Sequence, residues 1–254
     1  MNKLFNRVPE ITLFFWVIKI MATTVGETAA DFLSFTMKLG LVNTSYVMSG
    51  LLVLALVIQF KLKRYVPVSY WLVVVLVSVV GTLITDNLVD NLGVSLVTIT
   101  VLFSIALAVV FALWYANEKT LSIHSIFTAK RELFYWAAIL FTFALGTAAG
   151  DLVAEHLAMG YALSAVMFGA AIAVITLAYY RFKLNAVLAF WLAYILTRPF
   201  GASMGDLLSQ PVDVGGLGLG TIGTSSVFLG AIVILIAYLT IQQKRQLLAS
   251  TSAE

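Results

Sequence analysis

An aspartate recurs four times in this sequence at one fixed distance from a tryptophan. Each copy has the pattern W-x9-G-x4-D, and the aspartates are Asp31, Asp86, Asp151 and Asp206. Carboxylates that crowd together repel one another when they are ionised, so such groups bind cations or protons readily. The pattern therefore predicts a cation or proton site where the fold brings its four copies together.

Further acids lie on the same helical stripes as these aspartates. Residues four apart share one face of a helix, and steps of four from the aspartates reach Glu27, Asp90 and Glu155. Polar side chains inside a bilayer face the bundle interior or a wet cavity, because facing lipid is costly. We therefore predict a cation or proton pathway lined by Glu27, Asp31, Asp86, Asp90, Asp151, Glu155 and Asp206.

The available ligand atoms limit the kind of metal that such a pathway would hold. The chain has no cysteine, which excludes disulfides, iron–sulfur clusters and thiolate metal sites. Oxygen ligands without thiolates favour Mg²⁺, Ca²⁺ or Mn²⁺. The candidate ligands are Asp86, Asp90, Asp151, Glu155 and His156, with a lone surface histidine as the alternative interpretation of the last. No cofactor is expected.

Two other interpretations of the aspartates stay open. The first is helix capping or solvation in loops, although a carboxylate at a helix C-terminus opposes the macrodipole and Asp is a poorer C-cap than Gly or Asn. The second is structural pairing with the two basic residues that fall inside predicted spans, Lys19 and Arg198. The expected pairs are Asp206 with Arg198 and Glu27 with Lys19, and an acid on a neighbouring repeat is a further candidate partner of Arg198.

The repeated glycines admit two roles. Gly26, Gly81, Gly146 and Gly201 follow the tryptophans by ten residues, and glycines in membrane helices commonly allow close helix packing. The alternative is local unwinding that frees carbonyl groups for an ion. Unwinding is most plausible in the seventh helix, where Pro199 removes a backbone hydrogen bond.

The repeated tryptophans indicate depth in the membrane. Trp16, Trp71, Trp136 and Trp191 are predicted to anchor the protein at the inner interface, in an aromatic belt rather than a ligand box. Fifteen residues of helix rise about 22 Å, so the aspartates would lie near the outer mouth. Glu27 and Arg198 would lie deeper.

These residues must be positioned by membrane helices. The chain is 61% hydrophobic and only 11% charged, and a transmembrane helix needs about 20 mostly apolar residues. Apolar runs of that length cover nearly the whole chain, which predicts a single all-α integral membrane domain over 1–254. The eight predicted transmembrane helices are 9–33, 43–60, 67–88, 95–115, 132–153, 159–180, 185–206 and 221–241.

Basic residues predict the orientation. Twelve of the 15 Lys and Arg residues lie at alternate junctions between the helices, namely Lys3, Arg7, Lys61, Lys63, Arg64, Lys119, Lys130, Arg131, Arg181, Lys183, Lys244 and Arg245. The positive-inside rule then predicts that these junctions and both termini are cytoplasmic. The basic N-terminus has no small-residue cleavage pattern, so we expect the first helix to be retained.

The tryptophan spacing of 55, 65 and 55 residues indicates tandem duplication of a helix pair. Each pair starts and ends on one side, so the four repeats are parallel. They cover about 9–60, 64–116, 129–182 and 184–245. A linker over 117–131 joins two pseudo-symmetric halves, and the odd helices are expected to face one another at the centre.

This pattern, with the segments GTLITDNLVDNLG and TRPFGASMGDLLSQP, resembles a bacterial inner-membrane family of four tandem two-helix repeats with a characteristic tryptophan. The family is catalogued as a repeat of unknown function. The resemblance covers almost the whole chain and implies a multi-pass protein of the bacterial inner membrane. It implies no activity.

The function that the sequence favours is transport of a cation through the acidic stripe. The cargo would be a divalent metal such as Mn²⁺, Mg²⁺ or Ca²⁺, or a solute coupled to protons. The expected partners are this cargo and the lipid bilayer, and no nucleic-acid partner is expected. A channel is disfavoured, because a symmetric selectivity ring needs equal residues in each repeat. The alternatives are a non-transporting sensor or assembly protein and, less favoured, a membrane enzyme. An enzyme is not expected, because the chain lacks HExxH, paired haem-ligating histidines and cysteine.

Overall fold

The structure, a computed structural model, describes residues 6–251, so Lys3 of the N-terminal basic group lies outside it. The described residues form eight helices that are long and apolar enough to cross a membrane, and they contain no strand. This confirms the predicted all-α membrane fold. The helices are α1 (Leu13–Asp31), α2 (Leu41–Lys61), α3 (Pro67–Asp86), α4 (Leu96–Glu118), α5 (Ala129–Asp151), α6 (Tyr161–Phe182), α7 (Ala186–Ser209) and α8 (Gly220–Thr251).

Local capping explains where the helices begin. The side chain of Thr12 accepts a hydrogen bond from the amide of Phe15, and Thr128 caps α5 in the same way. Asn185 caps α7, and Pro67 occupies the first turn of α3, where its missing N–H costs nothing. The first helix therefore starts four residues later than its predicted start at residue 9.

The odd-numbered helices form a closed ring at the centre. Helix α1 packs against α3 and α7, and α5 packs against the same two helices. The even-numbered helices lie outside the ring, each against the odd helix of the next repeat: α2 on α3, α4 on α5, α6 on α7 and α8 on α1. The repeats are therefore interlocked, and the expected central position of the odd helices is confirmed.

The repeated glycines lie where neighbouring helices of the ring approach most closely. A Cβ atom added at any of them would overlap one residue on the next helix. That residue always lies seven positions after its own tryptophan, and the pairs run around the ring as Gly26 to Ser78, Gly81 to Phe143, Gly146 to Arg198 and Gly201 to Thr23. Helix α7 is continuous through Pro199. The geometry of the glycines is thus that of close packing, without unwinding.

A short π-helix follows the aspartate in the first three repeats, and the sequence analysis did not foresee it. These segments are Phe32–Thr36, Asn87–Asn91 and Leu152–His156. Seven residues after each aspartate comes a left-handed residue, Lys38, Gly93 or Ala158, which turns the chain toward the next helix. Helix α7 has no such segment and ends at Ser209. The fourth repeat therefore differs from the others at its outer end.

Candidate cation site

A cavity of about 140 Å³ opens at the end of the ring where the odd helices have their C-termini. All four repeats contribute to its wall, and no described Lys or Arg lines it. The seven acids of the predicted pathway are all in this wall, namely Glu27, Asp31, Asp86, Asp90, Asp151, Glu155 and Asp206. The fold therefore collects these acids in one place, whereas their role in conducting a cation stays a prediction.

The acids become more buried with depth. Asp90 and Glu155 are exposed at the mouth, whereas Asp86 is half-buried. At the floor, Glu27 is 6% exposed and Asp206 is 8% exposed. The cavity therefore changes from exposed carboxylates at its mouth to carboxylates at its floor that are largely shielded from water.

Three carboxylates at the floor come within range of a single ion. Glu27, Asp151 and Asp206 each place one oxygen within 4.8 Å of the others, the only such group among residues 6–251. Of the five metal ligands proposed from the sequence, this group contains Asp151 alone. His156 is exposed and does not line the cavity, which agrees with the interpretation of a surface histidine.

Arg198 closes the cavity from below. Its side chain is fully buried and forms an ion pair with Glu27, with 3.0 Å between Nη2 and Oε2. It also donates hydrogen bonds to the hydroxyls of Thr82 and Thr147 and to the carbonyl of Thr23. Every one of these partners lies on another repeat, so Arg198 ties the four repeats together at this level.

The two ion pairs specified from the sequence are not formed. Asp206 lies eight residues after Arg198, and Glu27 lies eight residues after Lys19, which is a rise of about 12 Å along one helix. Glu27 lies on the adjacent helix α1 with its Cβ beside Gly205, and the long side chain of Arg198 extends along the ring to reach its carboxylate. The partner of Arg198 is therefore the acid on a neighbouring repeat, the remaining candidate from the sequence analysis.

Lys19 is fully buried below Arg198 and has no carboxylate partner among the described residues. Its ammonium group donates to the carbonyl of Tyr194 and to the hydroxyl of Thr197. It also lies 4.2 Å from the ring centroid of Tyr194 and 5.3 Å from that of Phe143. Oxygen dipoles and aromatic faces therefore replace the expected Glu27 in stabilising this charge.

An aromatic layer fills the ring below Lys19. Trp71, Trp136 and Trp191 are each less than 5% exposed, and the hydroxyls of Tyr70 and Tyr135 are hydrogen-bonded to each other. Three of the four predicted interface anchors are thus buried inside the protein, and Trp16 is half-buried. The depth of these residues in a membrane stays a prediction.

A second buried ion pair closes the other end of the ring. Arg7 donates to Glu132 at 2.6 Å, and Glu132 also accepts hydrogen bonds from Gln59 and Trp136. The sequence analysis missed Glu132, which is in the first turn of α5 and outside the repeated pattern. Only its full burial distinguishes it from an ordinary acid near a helix N-terminus.

The described part of the structure contains no capping hydrogen bond that would support the capping interpretation of these aspartates. Asp31, Asp86 and Asp151 precede the π-helical segments, and none of their side chains forms a capping hydrogen bond. Structural pairing also does not account for them, because the buried ion pair at this level uses Glu27. Asp31, Asp86 and Asp151 therefore line the cavity without a capping hydrogen bond or an ion pair, and the interpretation that they are solvated stays open.

The segment 201–205 matches the G-x-S-x-G pattern of serine hydrolases, a match that sequence reasoning overlooked. That pattern requires a tight turn from a strand to a helix, which exposes the serine. Here Ser203 lies inside α7 and is 1% exposed, and both histidines are on the surface. The segment therefore has neither the geometry nor the base of a nucleophilic site.

Comparison with known families adds one match. The repeat of unknown function DUF347 matches this chain four times in tandem, over 14–65, 69–120, 134–185 and 189–245. No curated protein and no solved structure matches it. Each of the four matches covers most of one odd helix of the ring and of the even helix that follows it. The chain belongs to the DUF347 repeat family and contains four tandem copies of the repeat.

Proposed function

We propose that this protein transports a cation across the membrane through the acid-lined cavity. The observation that carries the proposal is the convergence of seven carboxylates from all four repeats on one cavity without a basic residue in its described wall. Such a funnel raises the local concentration of cations and excludes anions. Ionisable residues inside a membrane domain are costly to keep, and they commonly mark ion pathways.

The proposed path has one open end and one closed end. A cation would enter past Asp90 and Glu155 and reach Glu27 at the floor. Below this level Arg198, Lys19 and the aromatic layer fill the ring. Passage therefore requires a rearrangement of the repeats against one another, as in alternating access, and favours a transporter over an open channel.

We further propose that the protein is in a bacterial inner membrane with both termini in the cytoplasm. The support is the grouping of basic residues at the ends of the even helices, as in Lys61 and Arg181. In this orientation the acidic cavity opens to the outside. The cargo would be a divalent metal ion or a solute that moves with protons.

The test is flux into liposomes that contain the purified protein. An internal dye that reports Mn²⁺, and another that reports pH, should both be followed after a cation gradient is imposed. Asp86→Asn and Asp151→Asn should abolish the flux while the protein stays folded. Asp213→Asn is the matched control, because Asp213 lies in an outer loop away from the cavity wall.

This test also separates transport from the alternative of a sensor or assembly protein. A non-transporting protein would give no flux above that of empty liposomes, in both dye assays. Flux at the wild-type rate in the double variant Asp86→Asn/Asp151→Asn would instead show that the acid-lined cavity is not the route.

A further inference from the structure

We infer that Glu27, Asp151 and Asp206 bind one divalent cation of the Mg²⁺, Ca²⁺ and Mn²⁺ class, and that Arg198 competes with this cation for Glu27. The inference deepens the proposed transport function, on which its physiological meaning rests. It names the class of cargo and the side chains that hold it at the cavity floor. The binding step itself can be measured without any transport.

The geometry of the three carboxylates fits one ion. Their oxygens lie within 4.8 Å of one another. Two oxygens on opposite sides of a Ca²⁺ ion are about 4.6–5.2 Å apart, since each bond is about 2.3–2.6 Å long. The spacing is therefore within the limit for oxygens that share one Ca²⁺ ion, and the shorter bonds of Mg²⁺, about 2.0–2.1 Å, set a tighter limit of about 4.2 Å.

Asp206 is the independent observation that points to a ligand. It is more than nine-tenths buried and lines the cavity. Its carboxylate forms no hydrogen bond and no ion pair with the described residues, whereas the buried Glu132 at the other end of the ring has three partners. Burying a charge is costly unless it is paired or coordinates a metal. A bound cation would supply the partner that Asp206 lacks.

The ion pair of Glu27 leaves part of its carboxylate free for a cation. Arg198 and Thr82 both donate to Oε2 of Glu27, and no described donor contacts Oε1. Arg198 has further acceptors in Thr147 and in the carbonyl of Thr23. It can therefore release Glu27 and keep most of its hydrogen bonds, which makes it a tethered cation that competes with the cargo.

Charge balance favours a divalent cation. Three ionised carboxylates and one guanidinium leave two negative charges uncompensated. A divalent ion balances them at the buried floor, whereas a monovalent ion leaves one charge unpaired. The ligands are all oxygens, which suits hard cations, and the described part of the chain places no histidine nearby.

The experiment measures binding of Mn²⁺ to the purified full-length protein in detergent by electron paramagnetic resonance. The six-line spectrum of free Mn²⁺ is lost on binding, so the free concentration gives the dissociation constant. Asp206→Asn and Asp151→Asn should each weaken binding by at least about tenfold, because each replaces a charged carboxylate ligand with a neutral amide oxygen. Asp213→Asn should bind as the wild type does.

Two further measurements test the parts of the inference separately. Mn²⁺ and Ca²⁺ should raise the melting temperature of the wild type more than NaCl of equal ionic strength, and this needs no variant. Arg198→Gln should bind Mn²⁺ several-fold more tightly, because the competing cation is gone. Tighter binding is a result that a merely structural role of Arg198 would not produce, and weaker binding in Arg198→Gln would overturn the competition.

The outcomes distinguish this inference from the proposed function. Wild-type affinity in Asp206→Asn, or no stabilisation of the wild type by either ion, would overturn the metal site even where liposomes still show proton flux. Binding that depends on Asp206, together with no flux in liposomes, would support the metal site and contradict transport.

Discussion

The two ends of the central ring treat buried charge in opposite ways. At the end that holds Glu132, one acid is matched by one arginine and by neutral donors from Gln59 and Trp136. At the cavity end, seven acids face one another, and the arginine below them pairs with only Glu27. A region built only for stability would resemble the first end. The excess of acid at the second is a cost that cation binding would offset.

Between these ends the ring is filled in two different manners. The middle level is polar, with Arg198 bound to threonine hydroxyls from the second and third repeats. The level of the tryptophans is aromatic, with Tyr70 packed edge-on against Trp71. The ring therefore has a polar floor at the level of Arg198 above an aromatic base at the level of the tryptophans. The following four predictions test that contrast, beginning with the largest expected effect.

Arg198→Gln should lower the free energy of unfolding by about 3–5 kcal/mol, because it leaves Glu27 buried without its charged partner. The double variant Arg198→Gln/Glu27→Gln should recover most of this loss. The measurement is a reversible unfolding titration with sodium dodecyl sulfate in mixed micelles. Equal losses in the single and double variants would mean that the ion pair does not stabilise this level.

Glu132→Ala should lower the free energy of unfolding by about 1.5–3 kcal/mol, because it strands the charged donor Arg7 and two neutral donors. Asp86→Asn should leave stability unchanged or raise it, since the neutral amide removes repulsion among the cavity acids. The same titration compares the two ends directly. If Asp86→Asn is as destabilising as Glu132→Ala, the cavity acids have a structural role and the contrast between the ends is lost.

Gly146→Ala should cost about 1–3 kcal/mol, because the new methyl group would overlap Arg198 and push the polar floor away from α5. Gly50→Ala is the matched control, since Gly50 is also inside a helix and a Cβ there meets nothing within 4 Å. Melting temperatures of both variants in the same detergent give the comparison. A loss at Gly50 as large as at Gly146 would attribute the effect to helix geometry and not to packing.

Tyr70→Phe should cost about 0.5–1.5 kcal/mol, because it breaks the hydrogen bond to Tyr135 in the aromatic base. Tyr194→Phe removes a buried hydroxyl that has no hydrogen-bond partner, so stability should be unchanged or slightly higher. Both substitutions keep the aromatic ring of the side chain and its packing contacts. A loss on Tyr194→Phe would point to a partner for that hydroxyl in the membrane-embedded protein.

Repetition made much of this fold predictable. One Trp, one Gly and one Asp per repeat identified the four helix pairs, and the same pattern gave close packing as one of two roles for Gly81. The cavity acids were also predictable as a set, because steps of four on a helix fix which face a residue occupies. The π-helical turns were not predictable, since they depend on how the chain leaves the ring after Asp31 and its equivalents.

The repeated pattern did not predict which partners the buried charged residues contact. A spacing of eight residues suggested Asp206 for Arg198, yet Glu27 on the adjacent helix is the partner. Lys19 was likewise expected to find an acid and instead binds a carbonyl and aromatic faces. These contacts depend on the relative height of neighbouring helices, which no spacing within one helix encodes.

The sequence by itself determined the membrane class, the four repeats and the acidic face of each odd helix, because apolar length and helical period are local properties of the chain. Only the tertiary structure decided that Glu27, Asp151 and Asp206 converge and that Arg198 lies beneath them. The three carboxylates belong to three different repeats, and closure of the ring brings them together. The physical reason is that close contact at Gly146 and its equivalents fixes the register between helices, and register sets which charges meet.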